Sequence, residues 1–329
     1  MEKVRWGRTG VEVPRVALGT WGHGGPKTVG RQPVGWSGHD DRLATEALLK
    51  AFELGITHWD TADAYGDGQS ERLIGSLWDR VERQQVFLAS KVGWVAGPYD
   101  HYYHPQQIRR QMQRSLTLLK TDCIDLYYLH HCDFGPRDET LDDAVELLRR
   151  FRAEGKIRFI GLSDWDSSKV VRYADRVDPD VVQVYRNVLD DDYQVSGLKR
   201  WVESRDLGVA FFSPLKHGLL LGRYEKPPVF EAGDHRGRNS AFRDEALLAH
   251  LRRCRERVER RFSDQPEPVL HALVGSLLTD APSGCVLVGM RRPQHAAAAV
   301  VLGSPLGPED ASWVRHLYRQ ADQVIPPPI

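Results

Sequence analysis

Four residues of this 329-residue chain have side chains suited to moving a proton under control: Asp60, Tyr65, Lys91 and His130. A free tyrosine titrates near about 10, and a neighbouring ammonium makes the phenol a better acid because it stabilises the phenolate. Tyr65 is therefore the expected acid, Lys91 its tuner, and Asp60 the carboxylate that holds and orients Lys91. His130 would hydrogen-bond a substrate oxygen or relay a proton, and general-acid help of this kind is worth about 10² to 10⁴ in rate. Together the four suit protonation of a carbonyl oxygen while hydride arrives at its carbon, a task that needs no metal. Taken singly, each also has a structural reading: a loop cap at Asp60, a rim aromatic at Tyr65, a solvated charge at Lys91, a satisfied core histidine at His130. Where the chain places them together decides between the two readings.

That placement follows from short apolar runs alternating with amphipathic helical stretches. The runs are Val16–Leu18, Ile56–Trp59, Val86–Ala89, Ile124–Leu129, Ile157–Gly161, Val181–Val184, Val209–Phe212 and Val286–Val288. Asp60 closes the second run and Tyr65 lies in the loop after it, while Lys91 closes the third and His130 the fourth. Strands too apolar to be solvated on either face imply a parallel sheet wrapped by helices. Eight repeats favour a closed (β/α)8 barrel over a doubly wound sheet. In such a barrel the C-terminal strand ends open into one shared bowl, and consecutive strands would bring the four residues side by side there. Between the first two runs, Leu43, Ala44, Ala47, Leu48, Ala51 and Phe52 fall on one helical face, with Asp40 or Asp41 to cap its start and Gly55 to end it.

Two segments stand outside the alternation. Val4–Val13, with a turn at Thr9-Gly10, is placed to plug the barrel floor, and the long stretch Ser213–Asp244 reads as a functional loop. Residues 1–329 are read as a single domain. Lysine plus arginine and aspartate plus glutamate both number 45, so no basic excess draws the chain to nucleic acid or to an anionic membrane, and a small molecule is the expected partner. Self-association into a homo-oligomer stays open. The four cysteines form no C-x-x-C pair and read as reduced thiols, the start of the chain is too polar for a signal peptide, and no apolar run approaches a membrane span, which points to the cytoplasm. His131 beside His130 does not suggest a metal site, because strand neighbours face opposite sides.

Leu18-Gly19-Thr20-Trp21, the run from Asp60 to Tyr65 (Asp-Thr-Ala-Asp-Ala-Tyr) with Gly66, Ser90-Lys91, Asp125-Leu126-Tyr127-Tyr128-Leu129-His130 and Gly155–Ser163 together resemble the aldo-keto reductase family. The likeness runs from about Gly7 to about Val300 in the family's order. It implies a (β/α)8 barrel, a carbonyl or alcohol substrate, NADP(H) as cofactor, and Asp60, Tyr65, Lys91 and His130 at the catalytic positions.

The same resemblance suggests the cofactor contacts. Thr20, Trp21 and Asp60 lie at the near wall; Ser163, Asp164 and Gln183 would hold the carboxamide; Arg186 stands where an aromatic normally stacks on the nicotinamide. A planar guanidinium can stack too, or it can turn to an acidic neighbour such as Asp190. Ser213, Leu215 and Gly218 match the loop over the pyrophosphate, with Lys216 adding charge. Gly289, Met290, Arg291 and His295 match the segment that grips the 2′-phosphate, and the arginines favour NADP(H) over NAD(H). Three positions depart from the family: Asp164 and Ala299 where it has Asn, and Arg186. Trp21, Trp36 and Trp94 are the candidate substrate-pocket wall. A nucleotide-binding regulatory subunit with little turnover is the alternative reading, and another type of barrel enzyme is the third.

Overall fold

The computed structural model describes residues 1–320. Its first two strands, β1 (Lys3–Arg5) and β2 (Glu12–Pro14), pair antiparallel and run directly into β3 (Val16–Gly19). This hairpin seals the barrel floor, as its position in the sequence suggests. Trp6 is fully buried there, its indole donates to the Val209 carbonyl at 3.3 Å, and its ring meets His58 and Phe87 edge-on. The seat is tight: at Gly7 (φ 54°) a Cβ would lie 2.2 Å from the Leu207 carbonyl carbon.

A two-residue hairpin, β4 (Thr28–Val29) and β5 (Gln32–Pro33), precedes α1 (Asp41–Glu53). Of the two candidate caps, Asp40 is the one used, its carboxylate accepting from the Leu43 amide at 2.9 Å. Buried Ala44, Ala47, Leu48 and Ala51 recur every three to four residues and pack on the wall. Then follow β6 (His58–Asp60), α2 (Gln69–Gly75), β7 (Phe87–Val92), α3 (Pro105–Leu119), β8 (Ile124–Leu129), α4 (Leu141–Ala153), β9 (Ile157–Asp164) and α5 (Ser167–Val177). After β10 (Val181–Tyr185) come α6 (Asp192–Val195), α7 (Leu198–Ser204) and β11 (Gly208–Phe212). The chain ends its described part with α8 (Glu245–Arg261), α9 (Pro268–Leu278), β12 (Gly284–Gly289), α10 (Pro293–Ala299) and α11 (Pro308–Arg319).

Strands β3 and β6 to β12 close into a barrel, every neighbouring pair parallel and consecutive. The fold is a (β/α)8 barrel. Alternation along each strand sorts the side chains: Ala17, Ala89, Leu126, Val181, Ala210 and Cys285 fill the interior, while Leu18, Trp59, Leu88, Leu162, Val182 and Val286 pack outward against helices. At Gly161 a Cβ would lie 2.1 Å from the Tyr128 ring, so glycine there makes room for the largest interior side chain of the neighbouring strand. No helix among the described residues is long and apolar enough to cross a membrane. All four cysteines are free thiols.

Candidate active site

The four candidate residues meet at the C-terminal rim. Asp60 ends β6, Lys91 stands near the end of the adjacent β7, and His130 extends β8 by one rung, its amide donating to the Val92 carbonyl at 2.9 Å. Tyr65 is carried by the turn between β6 and α2, closed by its amide bonding to the Ala62 carbonyl at 3.2 Å. Lys91 Nζ donates to Asp60 Oδ1 at 2.5 Å, to the Thr61 carbonyl at 2.7 Å and to the Tyr65 hydroxyl at 3.3 Å. An ammonium has three protons, so all of them are occupied. The Tyr65 oxygen must therefore accept from Lys91, which leaves its own proton free to point into the bowl. The His130 imidazole stands alongside, its ring 5.8 Å from that of Tyr65 and edge-on to it.

The charges of this group follow from its burial. Burial alone would lower the Lys91 pKa, but the carboxylate of Asp60 outweighs it and holds the lysine above its ordinary value. Burial lifts Asp60 too, against the pull of Lys91 and of Gln183. With Lys91 on Oδ1 and the Gln183 amide on Oδ2 at 2.8 Å, both carboxylate oxygens are bonded and the pair is ionic. For Tyr65 the sequence suggests a depressed phenol, and here the structure differs. Burial outweighs Lys91 and pushes the hydroxyl above its usual value, so Tyr65 is protonated through neutral pH. Burial, then the Lys91 charge, drives His130 well below the ordinary histidine range, leaving a neutral imidazole.

Two tryptophans flank the pair. The Trp21 ring lies nearly parallel to Tyr65 at 6.3 Å, fixed by its indole donating to the Val34 carbonyl at 3.1 Å. Trp94 stands on the other side, 6.1 Å from His130. Trp36 lies one layer out from Tyr65, its ring 5.5 Å from Trp21 and 5.8 Å from His217. It packs edge-on behind Trp21 between the guanidinium groups of Arg236 at 4.8 Å and Arg291 at 5.9 Å. The 22–40 loop that carries it is pinned to the long loop after β11, since buried Asp234 accepts from the Ser37 amide and hydroxyl and from Arg236.

Strand alternation corrects several expected cofactor contacts. Gln183 and Tyr185 face inward on β10, so Arg186 faces out. It is fully buried, paired with Asp191 at 2.7 Å and Asp280 at 2.9 Å, bonded to the Leu277 carbonyl, and laid over Tyr193 and Phe211. Stacking on a nicotinamide is ruled out for it; of the two alternatives, it turns to acidic neighbours. Asp164 likewise points away from Ser163, and its two oxygens accept from the Cys132 amide at 2.7 Å and the Asp166 amide at 2.9 Å. Thr20 is fully buried, donating to the Asp60 carbonyl at 2.8 Å and accepting from Ser70, so it braces Asp60 from below. Met290 is fully buried, with its carbonyl bonded to His23 Nε2 at 2.8 Å. Ala299, the last residue of α10, is buried in the core.

What faces the bowl from the far wall is Ser163, Gln183 and, unnoticed in the sequence, Phe212. Its ring closes the inward side of β11, 4.8 Å from Trp165 and 5.7 Å from Tyr185. The signal was available, since an aromatic at an inward strand end directly before Ser213-Pro214 sits beside Tyr185 in register, one inward position beyond Gln183. Beyond Phe212, Ser213 (φ 58°), Lys216 (φ 44°), His217 (φ 59°) and Gly218 (φ 89°) form a run of left-handed residues around Leu215, the backbone shape that cups an anion with amides. Lys216 does not supply free charge, because it pairs with Asp190 at 2.6 Å. Arg291 reaches back to the Ser37 carbonyl, its own amide donates to His295 Nδ1 at 3.1 Å, and Gly289 opens onto free space. A flat ring beside polar Ser163 and Gln183, followed by an anion-shaped turn and two arginines, fits a nicotinamide dinucleotide.

A model of the aldo/keto reductase family matches residues 15–318. The aldo-keto reductase YhdN of Bacillus subtilis is 29% identical over 315 residues, covering 94% of this chain and 91% of its own. The NADH-specific methylglyoxal reductase of Escherichia coli is 30% identical over 261 residues, covering 75% and 77%. Among solved structures, the glycerol dehydrogenase of Gluconobacter oxydans superposes with a TM-score of 0.80 at 24% identity, covering 99% of this chain and 97% of that one, which speaks for the fold. The match over nearly the whole barrel, on a site with this geometry, makes the chain a member of the aldo/keto reductase family of oxidoreductases acting on carbonyls or alcohols.

Proposed function

We propose that this protein reduces an aldehyde or ketone with NADPH, or oxidises the corresponding alcohol with NADP⁺. One observation carries the reading: Lys91 has all three protons occupied, so the protonated Tyr65 hydroxyl offers its proton to the bowl beside a neutral His130. When bound, the nicotinamide supplies or takes the hydride. Ser163 and Gln183 would orient its carboxamide and Phe212 would lie against its ring. Tyr65 donates its proton to the carbonyl oxygen, His130 hydrogen-bonds that oxygen, and the Lys91 ammonium, already on the phenol oxygen, stabilises the phenolate left behind. The two sequence relatives named above are reductases, which is why turnover is proposed rather than a regulatory role. The test is oxidation of NADPH by the purified protein against a panel of aldehydes and ketones. Binding of NADPH without turnover on any of them would refute it.

The pH profile separates the two candidate acids. Tyr65 must be protonated to donate, and its raised pKa keeps it so; His130, with its lowered pKa, is neutral over the same span. Reduction should therefore hold a level kcat/KM from about pH 6 to about pH 9. Alcohol oxidation, which needs the phenolate, should rise about tenfold per pH unit over that range. A reduction rate that instead climbs as the pH falls below about 6, toward the lowered pKa of His130, would assign the proton to His130.

For the cofactor, the methylglyoxal reductase above is named for NADH, so the preference proposed here rests on Arg291 and Arg292. Arg291→Ala is expected to raise the NADPH Kd about tenfold while leaving that for NADH within about twofold, the loss of one charge-assisted phosphate contact. Fluorescence titration of the tryptophans reads both. An equal loss for both nucleotides would mean that Arg291 acts only through Ser37 and Trp36.

A further inference from the structure

The loops around the bowl divide by charge. On the side of β11 and β12, residues 213–244 and 290–292 hold eight lysines and arginines against four acids. On the side of β8, β9 and β10, residues 130–140, 165–166 and 186–191 hold six acids, Asp133, Asp138, Glu139, Asp166, Asp190 and Asp191, against two arginines. Of these, Arg186 pairs with Asp191, Asp190 with Lys216, and Asp138 with Arg172 and Arg176, which leaves Asp133, Glu139 and Asp166 against Arg137. The loop 93–104 between β7 and α3 adds Asp100 and neither lysine nor arginine. Inside the bowl the cations are engaged: Lys91 with Asp60, Lys216 with Asp190, Arg236 with Asp234. The imidazoles of His130, His217 and His235 are neutral, each lowered chiefly by burial. A dinucleotide's phosphates are drawn to the basic side, and the side left for a substrate repels anions.

The acidic side also holds exposed aromatic surface. Among the described residues the two most exposed tryptophans are Trp94 at 49% and Trp165 at 39%, and both stand on this rim. Trp94 is held by His131 at 4.4 Å and by Tyr102 at 6.2 Å, stands 6.1 Å from His130, and still leaves about half of its surface open to solvent. A flat group lying on that surface removes apolar area from water at little ordering cost, because the indole is already held.

Resting on the reductase reading above, we propose that the substrate is an uncharged carbonyl compound bearing a flat ring, which stacks on Trp94 while its oxygen reaches Tyr65 and His130, and that carboxylated or phosphorylated carbonyls are turned away by the acidic rim. The experiment compares benzaldehyde, para-carboxybenzaldehyde and methylglyoxal with NADPH, at low and high salt, in the wild type, Trp94→Ala and Trp94→Phe. At low salt the kcat/KM for benzaldehyde should exceed that for its carboxylated analogue by about tenfold or more, and the gap should narrow as salt shortens the screening length to about 10 Å at 0.1 M. Trp94→Ala should raise the KM for benzaldehyde about tenfold more than that for methylglyoxal, and Trp94→Phe should recover most of it. Equal use of the two aromatic aldehydes at low salt, or an equal loss on ring and acyclic substrates, overturns the proposal. Turnover of methylglyoxal alone also overturns it while leaving the reductase reading in place. NADPH binding with no turnover of any aldehyde sinks both.

Discussion

Tyr65→Phe should lower kcat for carbonyl reduction by about 10² to 10⁴ while leaving the NADPH Kd within about twofold. The substitution removes one oxygen and keeps the ring that packs beside Trp21 and His130. It also takes away the third acceptor of Lys91, whose bonds to Asp60 and Thr61 remain. An unsatisfied buried donor costs about 1 to 3 kcal/mol, so a moderate fall in Tm should accompany the kinetic loss. Rates are to be compared well below that Tm, with Kd from fluorescence titration as the control for folding. If kcat survives, another group delivers the proton, and neutral His130 is the one within reach.

Arg186→Ala should produce the opposite pattern: a stability loss of about 3 to 5 kcal/mol, with NADPH affinity and kcat unchanged in the protein that remains folded. The guanidinium has no exposed surface and ties β10 to Asp191 before α6 and to Asp280 after α9, so its removal cuts both ties and leaves Asp191 with Arg319 at 3.8 Å and Asp280 with Arg315 at 3.2 Å. It also opens a cavity between Tyr193 and Phe211. Denaturant unfolding reads the first effect and cofactor titration the second. Weaker NADPH binding at full stability would restore Arg186 to the cofactor side of the wall.

These two residues mark how far the sequence could be read. The group of Asp60, Tyr65, Lys91 and His130 was visible because its members sit at or just past the ends of consecutive apolar runs, and a parallel barrel admits one geometry for consecutive strand ends. The floor hairpin was equally legible from Val4 to Val13. Elements too short to show a period were not: β4 and β5 have two residues each, and α6 has four. Arg186 was misplaced because motif spacing counts residues but does not apply the in-and-out alternation; counting from Gln183, an odd offset puts a side chain on the opposite face. The same alternation turns Asp164 away from Ser163.

The patterning of apolar runs, helices and turn residues was enough to specify an eight-stranded barrel and to place Asp60, Tyr65, Lys91 and His130 on one rim, because these depend on local periodicity. Whether Tyr65, beside Lys91, ends up a stronger or a weaker acid than a free tyrosine was a different kind of question. It depends on the balance between burial and charge, and burial is a sum over groups far apart in the chain. The same holds for the engagement of Lys216 by Asp190, the pinning of the 22–40 loop by Asp234, and the pairing of Arg186 with Asp280, 94 residues away. Electrostatics and packing act through space, so those features were settled only when the barrel closed.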